Sequence, residues 1–361
     1  MRFLVLGALV ALLLLPGMAA GQLQIPEVDQ GRLRADRVRY DAQAKVFHAE
    51  GHVRLTLGDT EVQAPRLRLD QVRQVVVATG GVVVRQRATL LRAEEVTYEV
   101  QSRTARASGK VVLRHEGTTV GAAEITFDLV GQIARARGEV RLDRENSTLT
   151  GQALVADMKT KDAEVTGHAS LIRAARERPG SEETAAQAVA DQEMTITAER
   201  LRFRWEANEA EAEGAVTVRQ PDKTARAQKL VYSEAGDVLE LTGSVVIDQR
   251  SGAWLATEEP DAATALTSRT ILTCDRVVIK LRSRDLTADG SVRVEQEGRL
   301  ATGDHAQYTS RDRLLIVTGR VRIREADGSW LRADKVLISL ADETFEAVGN
   351  VETEFSVKRG K

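Results

Sequence analysis

The chain has 361 residues, 42% of them hydrophobic and 29% charged, with 51 Lys and Arg against 53 Asp and Glu. A formal net charge of −2 lacks the basic excess of a nucleic-acid binder, and an aromatic content of 4% leaves few platforms for stacking single strands. One cysteine excludes a disulfide framework and any multi-cysteine zinc site, and the ordinary apolar content excludes wholesale disorder.

The chain opens with Arg2, an unbroken apolar run from Phe3 to Leu15, Pro16 and the small residues Ala19-Ala20-Gly21. That order predicts a secretory signal peptide over 1–21, or an uncleaved N-terminal anchor. The run falls short of the roughly 20 apolar residues that a membrane helix needs.

Beyond it a five-residue phrase recurs: AEGHV at 49–53, ATGGV at 78–82, ASGKV at 107–111, and so on to AVGNV at 347–351. Its glycines are Gly51, Gly80, Gly109, Gly138, Gly167, Gly214, Gly243, Gly290, Gly319 and Gly349. They lie 29 residues apart, except for two intervals of 47 and a last one of 30. A fixed period of this length marks a repeat architecture. Sixteen residues before each glycine stands a small residue, from Ala35 to Ala333. An aliphatic slot follows three residues later, and two further on a bulkier slot that holds all four tyrosines: Tyr40, Tyr98, Tyr232 and Tyr308.

Within each repeat the apolar period is two. Ala49, Gly51, Val53 and Leu55 alternate with His52, Arg54 and Thr56, which predicts strands with one dry and one wet face. A one-residue slip of parity between Leu33-Ala35 and Val38-Tyr40 predicts a bulge or corner. Asp41 to Ala44 and Gly58-Asp59 predict turns. Each repeat therefore reads as two bent antiparallel passes of about a dozen residues, stacked into an elongated array. The organisation is repeats over 31–173, a polar insert loop at 174–193, repeats over 194–249, a second insert loop at 250–268, and repeats over 269–357.

The phrase A-x-x-[VL]-x-[YF]-[DE] followed by A-x-G-x-V-x-[LV], clearest in ADRVRYD (35–41) with AEGHVRL (49–55) and AEEVTYE (93–99) with ASGKVVL (107–113), resembles the OstA-like repeat. That repeat is shared by the periplasmic lipopolysaccharide-transport proteins LptA, LptC and the N-terminal part of LptD. The resemblance implies an all-β jellyroll, or β-taco, of two facing antiparallel sheets with an open apolar groove for acyl chains. It further implies a periplasmic carrier without enzymatic activity or cofactor, with an LptC-like partner at its N-terminal edge. At its C-terminal edge the resemblance implies an LptD-like partner or another copy of the chain. About ten repeats, two inserts and no barrel segment set the sequence apart from a typical LptA and from full-length LptD, leaving LptA-like and LptC-like roles both open.

The residues independently offer a wall for such a groove, since each buried CH₂ of an acyl chain is worth about 0.8 kcal/mol and no specific chemistry is required. In chain order the lining is expected from Val38, Tyr40, Ala49, Gly51, Val53, Val82, Val96, Tyr98, Ala107, Gly109, Val111, Ile125 and Phe127. It continues through Val140, Leu201, Phe203, Val216, Leu230, Tyr232, Val245, Val277, Val292, Tyr308, Val321 and Val351. The small slots read equally as places where sheets bend and pack closely. A structural solenoid without cargo is the alternative function.

Catalytic and metal chemistry find no pattern. The five histidines are scattered, and His52 and His168, which share the slot after the glycine, are expected to face solvent. Cys274 replaces a repeat alanine, so it is expected as a small core residue.

Overall fold

In the computed structural model the described residues are 32–174, 193–250, 269–296, 298–339 and 344–355. They form 22 strands and no helix. The expected signal peptide lies outside them, as do both expected inserts apart from their flanking positions.

Two compact units divide the chain. The first, covering described residues 32–171 and 200–206, carries β1 (Arg32–Arg34), β2 (Arg37–Asp41), β3 (Val46–Leu57), β4 (Thr60–Asp70), β5 (Val75–Gln86) and β6 (Thr89–Glu99). It continues with β7 (Thr104–His115), β8 (Thr118–Asp128), β9 (Ile133–Arg144) and β10 (Ser147–Asp157). The boundary runs through β11 (Asp162–Arg173) and β12 (Met194–Arg204). The second unit holds β13 (Glu209–Arg219), β14 (Lys223–Ser233), β15 (Val238–Gln249), β16 (Thr270–Lys280), β17 (Leu286–Gln296) and β18 (Arg299–Thr309). It ends with β19 (Leu314–Arg324), β20 (Trp330–Ser339), β21 (Thr344–Val348) and β22 (Glu352–Glu354).

In the first unit each strand from β3 to β10 pairs antiparallel with the next, and β1 and β2 both lie on β3. The second unit repeats the pattern from β13 to β20, on which β21 and β22 end. Among the described pairings none joins the first and last strands of either ladder, so neither is a closed barrel.

The local geometry explains the period. A strand of 12 residues, β3, is joined to one of 11, β4, by the two-residue turn Gly58-Asp59, and β4 to β5 by the four residues 71–74. Together these make one repeat. In the four-residue turns after β2, β4, β8 and β10 an aspartate that closes the strand caps the chain ahead of it: Asp41 Oδ1 accepts the N–H groups of Gln43 and Ala44, both at 3.0 Å, and Asp157 does the same for Lys159 and Thr160. Those N–H groups, Ala44's foremost, hold the Asp41 carboxyl below its usual range.

The corner lies at the repeat glycine. Glu50 pairs with Arg66 and Val53 with Ala64, so Gly51 and His52 stand opposite Pro65 alone. Both bulged residues are left-handed, at φ +72° and +45°, and the same doublet recurs at Gly109-Lys110, Gly138-Glu139 and Gly319-Arg320. Four residues of one strand, 50–53, thus match three of its neighbour, 64–66, which is how a ladder turns without losing its buried face. The bulge divides each strand into two limbs, one running to the two-residue turns and the other to the four-residue turns.

Candidate lipid-binding site

Around the first corner the buried face gathers Ala49, Val53, Leu55, Ala64, Leu67, Ala78 and Val82, with Leu57, Val62, Leu69, Val76, Val84 and Val96 half-buried about them. Rows of apolar side chains run across the strands in register. On one limb the row is Leu55, Val62, Val84, Leu91, Leu113, Val120, Leu142 and Leu149. On the other it is Tyr40, Phe47, Leu69, Val76, Tyr98, Ala105, Phe127 and Ala134, opened by Tyr40 and Phe47 with ring centroids 4.4 Å apart.

Most of the expected wall residues lie on this face. Ala49, Val53, Val82, Ala107, Val111, Ile125 and Val140 are buried in the first unit, as are Leu201 and Phe203 on β12. In the second unit Val216, Leu230, Tyr232, Val245, Val277, Val292, Tyr308 and Val321 are buried, with Tyr232 and Val277 at 0% exposure. Val96, Tyr98 and Phe127 are half-buried, and burial pushes the Tyr98 phenol above its usual range.

Val38, Tyr40 and Val351 differ, at 48%, 47% and 49% exposed. They sit on or beside the outermost passes, where among the described residues β2 pairs only with β3 and β21 only with β20. The same slot is thus bare or covered according to whether a second neighbour exists.

Gly51 and Gly109 require a correction. A side chain built on Gly51 would meet the exposed Asp36, with Oδ2 at 2.3 Å, and one on Gly109 would meet Glu94, with Cβ at 2.6 Å. Both glycines therefore point to the polar face, not into the apolar rows. They are needed for the left-handed backbone and for close approach to the preceding strand. Strict alternation misplaced them because a two-residue left-handed bulge preserves the even count from Ala49 to Val53.

The polar face is lined with lateral pairs. His52 Nδ1 lies 2.8 Å from Asp36 Oδ2, Arg320 donates to Asp304 and Asn350 to Asp334, each pair 16 residues apart along the corners. His52 and His168 are exposed. Cys274 is buried, its thiol 3.4 Å from the Arg276 carbonyl and pushed up to about 11, chiefly by desolvation. No cluster of three or more His, Cys, Asp or Glu suited to a metal occurs among the described residues.

Sequence reasoning missed one row. The last buried position of the limb that ends in the two-residue turns is polar: Gln86, His115, Thr118 and Ser147 are all buried there. Six residues past seven of the ten repeat glycines the sequence carries Gln86, His115, Arg144, Arg173, Gln220, Gln249 and Gln296, a periodic signal that a search for apolar slots passes over.

The described residues thus form antiparallel repeat ladders, each with an apolar face, the architecture of an all-β jellyroll. Residues 32–162 match the family model described as LptA/(LptD N-terminal domain) LPS transport protein. That segment is similar to this family, in line with the resemblance of its repeats. Among solved structures the chain is similar to LptH from Pseudomonas aeruginosa, the LptA-homologous periplasmic component of the lipopolysaccharide transport device. The likeness is at 20% identity and a TM-score of 0.31, over 32% of this chain and 95% of that one. No curated protein matches.

Proposed function

We propose that this protein is a non-enzymatic periplasmic carrier that holds the acyl chains of lipopolysaccharide, or a related glycolipid, against its apolar face as part of a bridge toward the outer membrane. The observation that supports the reading most is the registered apolar rows of β3 to β10, which coincide with the family-matched segment. A carrier of this kind needs length and greasiness, since affinity accumulates per methylene. Direction comes from an energised partner elsewhere. The bare outer strands, with Val38, Tyr40, Val351 and Phe355 exposed, are where an LptC-like partner, an LptD-like partner or a second copy adds by strand pairing.

The test is site-specific photo-crosslinking in cells. A photoreactive residue at Tyr98 or Val111 should capture lipid, and one at Lys110, exposed on the same strand as Val111, should not. Capture at Lys110 alone would overturn the reading. A scaffold without cargo is the second reading, favoured by the complete burial of Tyr232 and Val277; no lipid at any position would establish it.

A further inference from the structure

The polar row missed by the sequence forms an unbroken line across the first unit. Thr60 pairs with Gln86, Gln86 with Thr89, Thr89 with His115, His115 with Thr118, Thr118 with Arg144, and Arg144 with Ser147. These side chains share the buried face, because Arg85 and Arg114 beside them are exposed while Gln86 and His115 are not. One step deeper on the same strands lie Leu91, Leu113, Val120, Leu142 and Leu149, all buried. The apolar face therefore ends in a polar rim on this limb. The other limb ends in Leu69, Val76, Tyr98 and Phe127, so the two margins are chemically unlike.

Burying polar groups costs free energy unless they are bonded, and part of the rim is bonded internally. Gln86 Nε2 donates to Asp59 at 3.1 Å, and Thr89 Oγ1 lies 2.9 Å from His115 Nδ1. Arg144 stands apart. Arg141, on the outward face of the same strand, is clamped by Asp143 through two contacts of 2.8 Å. Arg144 is half-buried on the inward face and has no carboxylate partner among the described residues, while the hydroxyl residues Thr118 and Ser147 flank it directly in register. A cation between two hydroxyl residues, next to an apolar wall, matches an anion carried on a hydrocarbon.

Resting on the carrier reading above, we propose that this rim is the headgroup subsite: Arg144, Thr118 and Ser147, with His115 one strand beyond Thr118, receive the phosphate of an acylated ligand whose chains lie against Leu113, Leu142 and Leu149. The rim fixes which way the ligand faces in the trough and selects anionic amphiphiles over neutral ones.

The full chain is titrated by calorimetry with dodecyl phosphate, with uncharged dodecyl maltoside and with inorganic phosphate. Arg144→Gln should weaken dodecyl phosphate about tenfold, the loss of one charge-assisted contact, and leave dodecyl maltoside unchanged. Arg114→Gln on the exposed face should change neither. A second variant, Thr118→Val with Ser147→Ala, keeps all charges and should also weaken only the phosphate amphiphile. Equal losses for Arg114→Gln and Arg144→Gln would overturn the subsite in favour of general electrostatics, as would loss of both amphiphiles together in both rim variants. Inorganic phosphate bound as tightly as dodecyl phosphate would make the rim a free-phosphate site and overturn the lipid assignment. Failure of the unaltered protein to bind either amphiphile would sink the carrier reading itself, whereas normal maltoside binding with no phosphate preference would sink only the rim.

Discussion

Gly138→Ala separates the two burdens placed on a corner glycine. Its backbone is left-handed at φ +77°, and a new Cβ would stand 2.7 Å from the Ala123 Cβ of β8, with the next atoms at 3.8 Å. The left-handed conformation costs an L-residue roughly 1–2 kcal/mol, and the overlap adds roughly 1–3 kcal/mol as overpacking. Together they predict a loss of about 2–4 kcal/mol around β8 and β9. Gly81→Ala provides the control: its φ is +97° and nothing lies within 4 Å of the new Cβ, so only the backbone cost of roughly 1–2 kcal/mol applies. The decisive variant combines Gly138→Ala with Ala123→Gly, which removes the single clashing atom. The pair should recover about 1–3 kcal/mol relative to additive single changes. Hydrogen exchange of the β8 and β9 amides is the assay of choice, because repeat arrays open locally and global melts average over them. A coupling below about 0.5 kcal/mol would refute the claim that side-chain overlap contributes. Equal costs at Gly81 and Gly138 would refute it as well.

Three further outcomes follow from the same geometry. Cys274 should resist iodoacetamide at neutral pH until the protein unfolds; because burial raises its folded pKa to about 11, its contribution to stability is complete below the unfolded thiol value and is lost as pH rises toward 11, and Cys274→Ala should abolish that alkaline step in a pH series of urea melts. Val277→Ala, at 0% exposure, should cost roughly 2 kcal/mol in local exchange, whereas Val155→Ala, at 41%, should cost a few tenths. Glu352→Pro removes an N–H donor from β22, which pairs with β20, and should abolish end-to-end association or partner capture while lipid labelling at Tyr98 persists.

Strands, turns and the buried face were legible because each rests on short-range chemistry. Alternation sets the faces, aspartate and glycine close the turns, and a 29-residue period repeats the statement until its register is unmistakable. Three features were not legible. Gly51 and Gly109 were assigned to the wrong face, because a bulge of two left-handed residues leaves the parity count intact. Tyr40 and Tyr232 occupy one slot yet differ from nearly half exposed to fully buried, a property of neighbouring strands rather than of the tyrosine. The rim escaped notice because Gln, His and Arg beside a turn read as solvated residues until their burial is seen. An apolar alphabet finds the wall of a buried face but not its polar margin.

Nearest-neighbour pairing also governs how such a chain acquires its shape. Every described hairpin from β3 to β10 joins consecutive strands through turns of two or four residues, so no contact in that ladder waits for a distant part of the sequence. Loop-closure entropy stays small at each step, and a partly formed ladder already presents a template for the next pass. A chain released residue by residue from a narrow channel can therefore zip itself up as it emerges, each new pass capping the one before. Length becomes adjustable in whole repeats, since adding or deleting 29 residues moves one edge without disturbing the interior register. The length of a ladder is thus a heritable quantity, set by counting repeats rather than by redesigning a core.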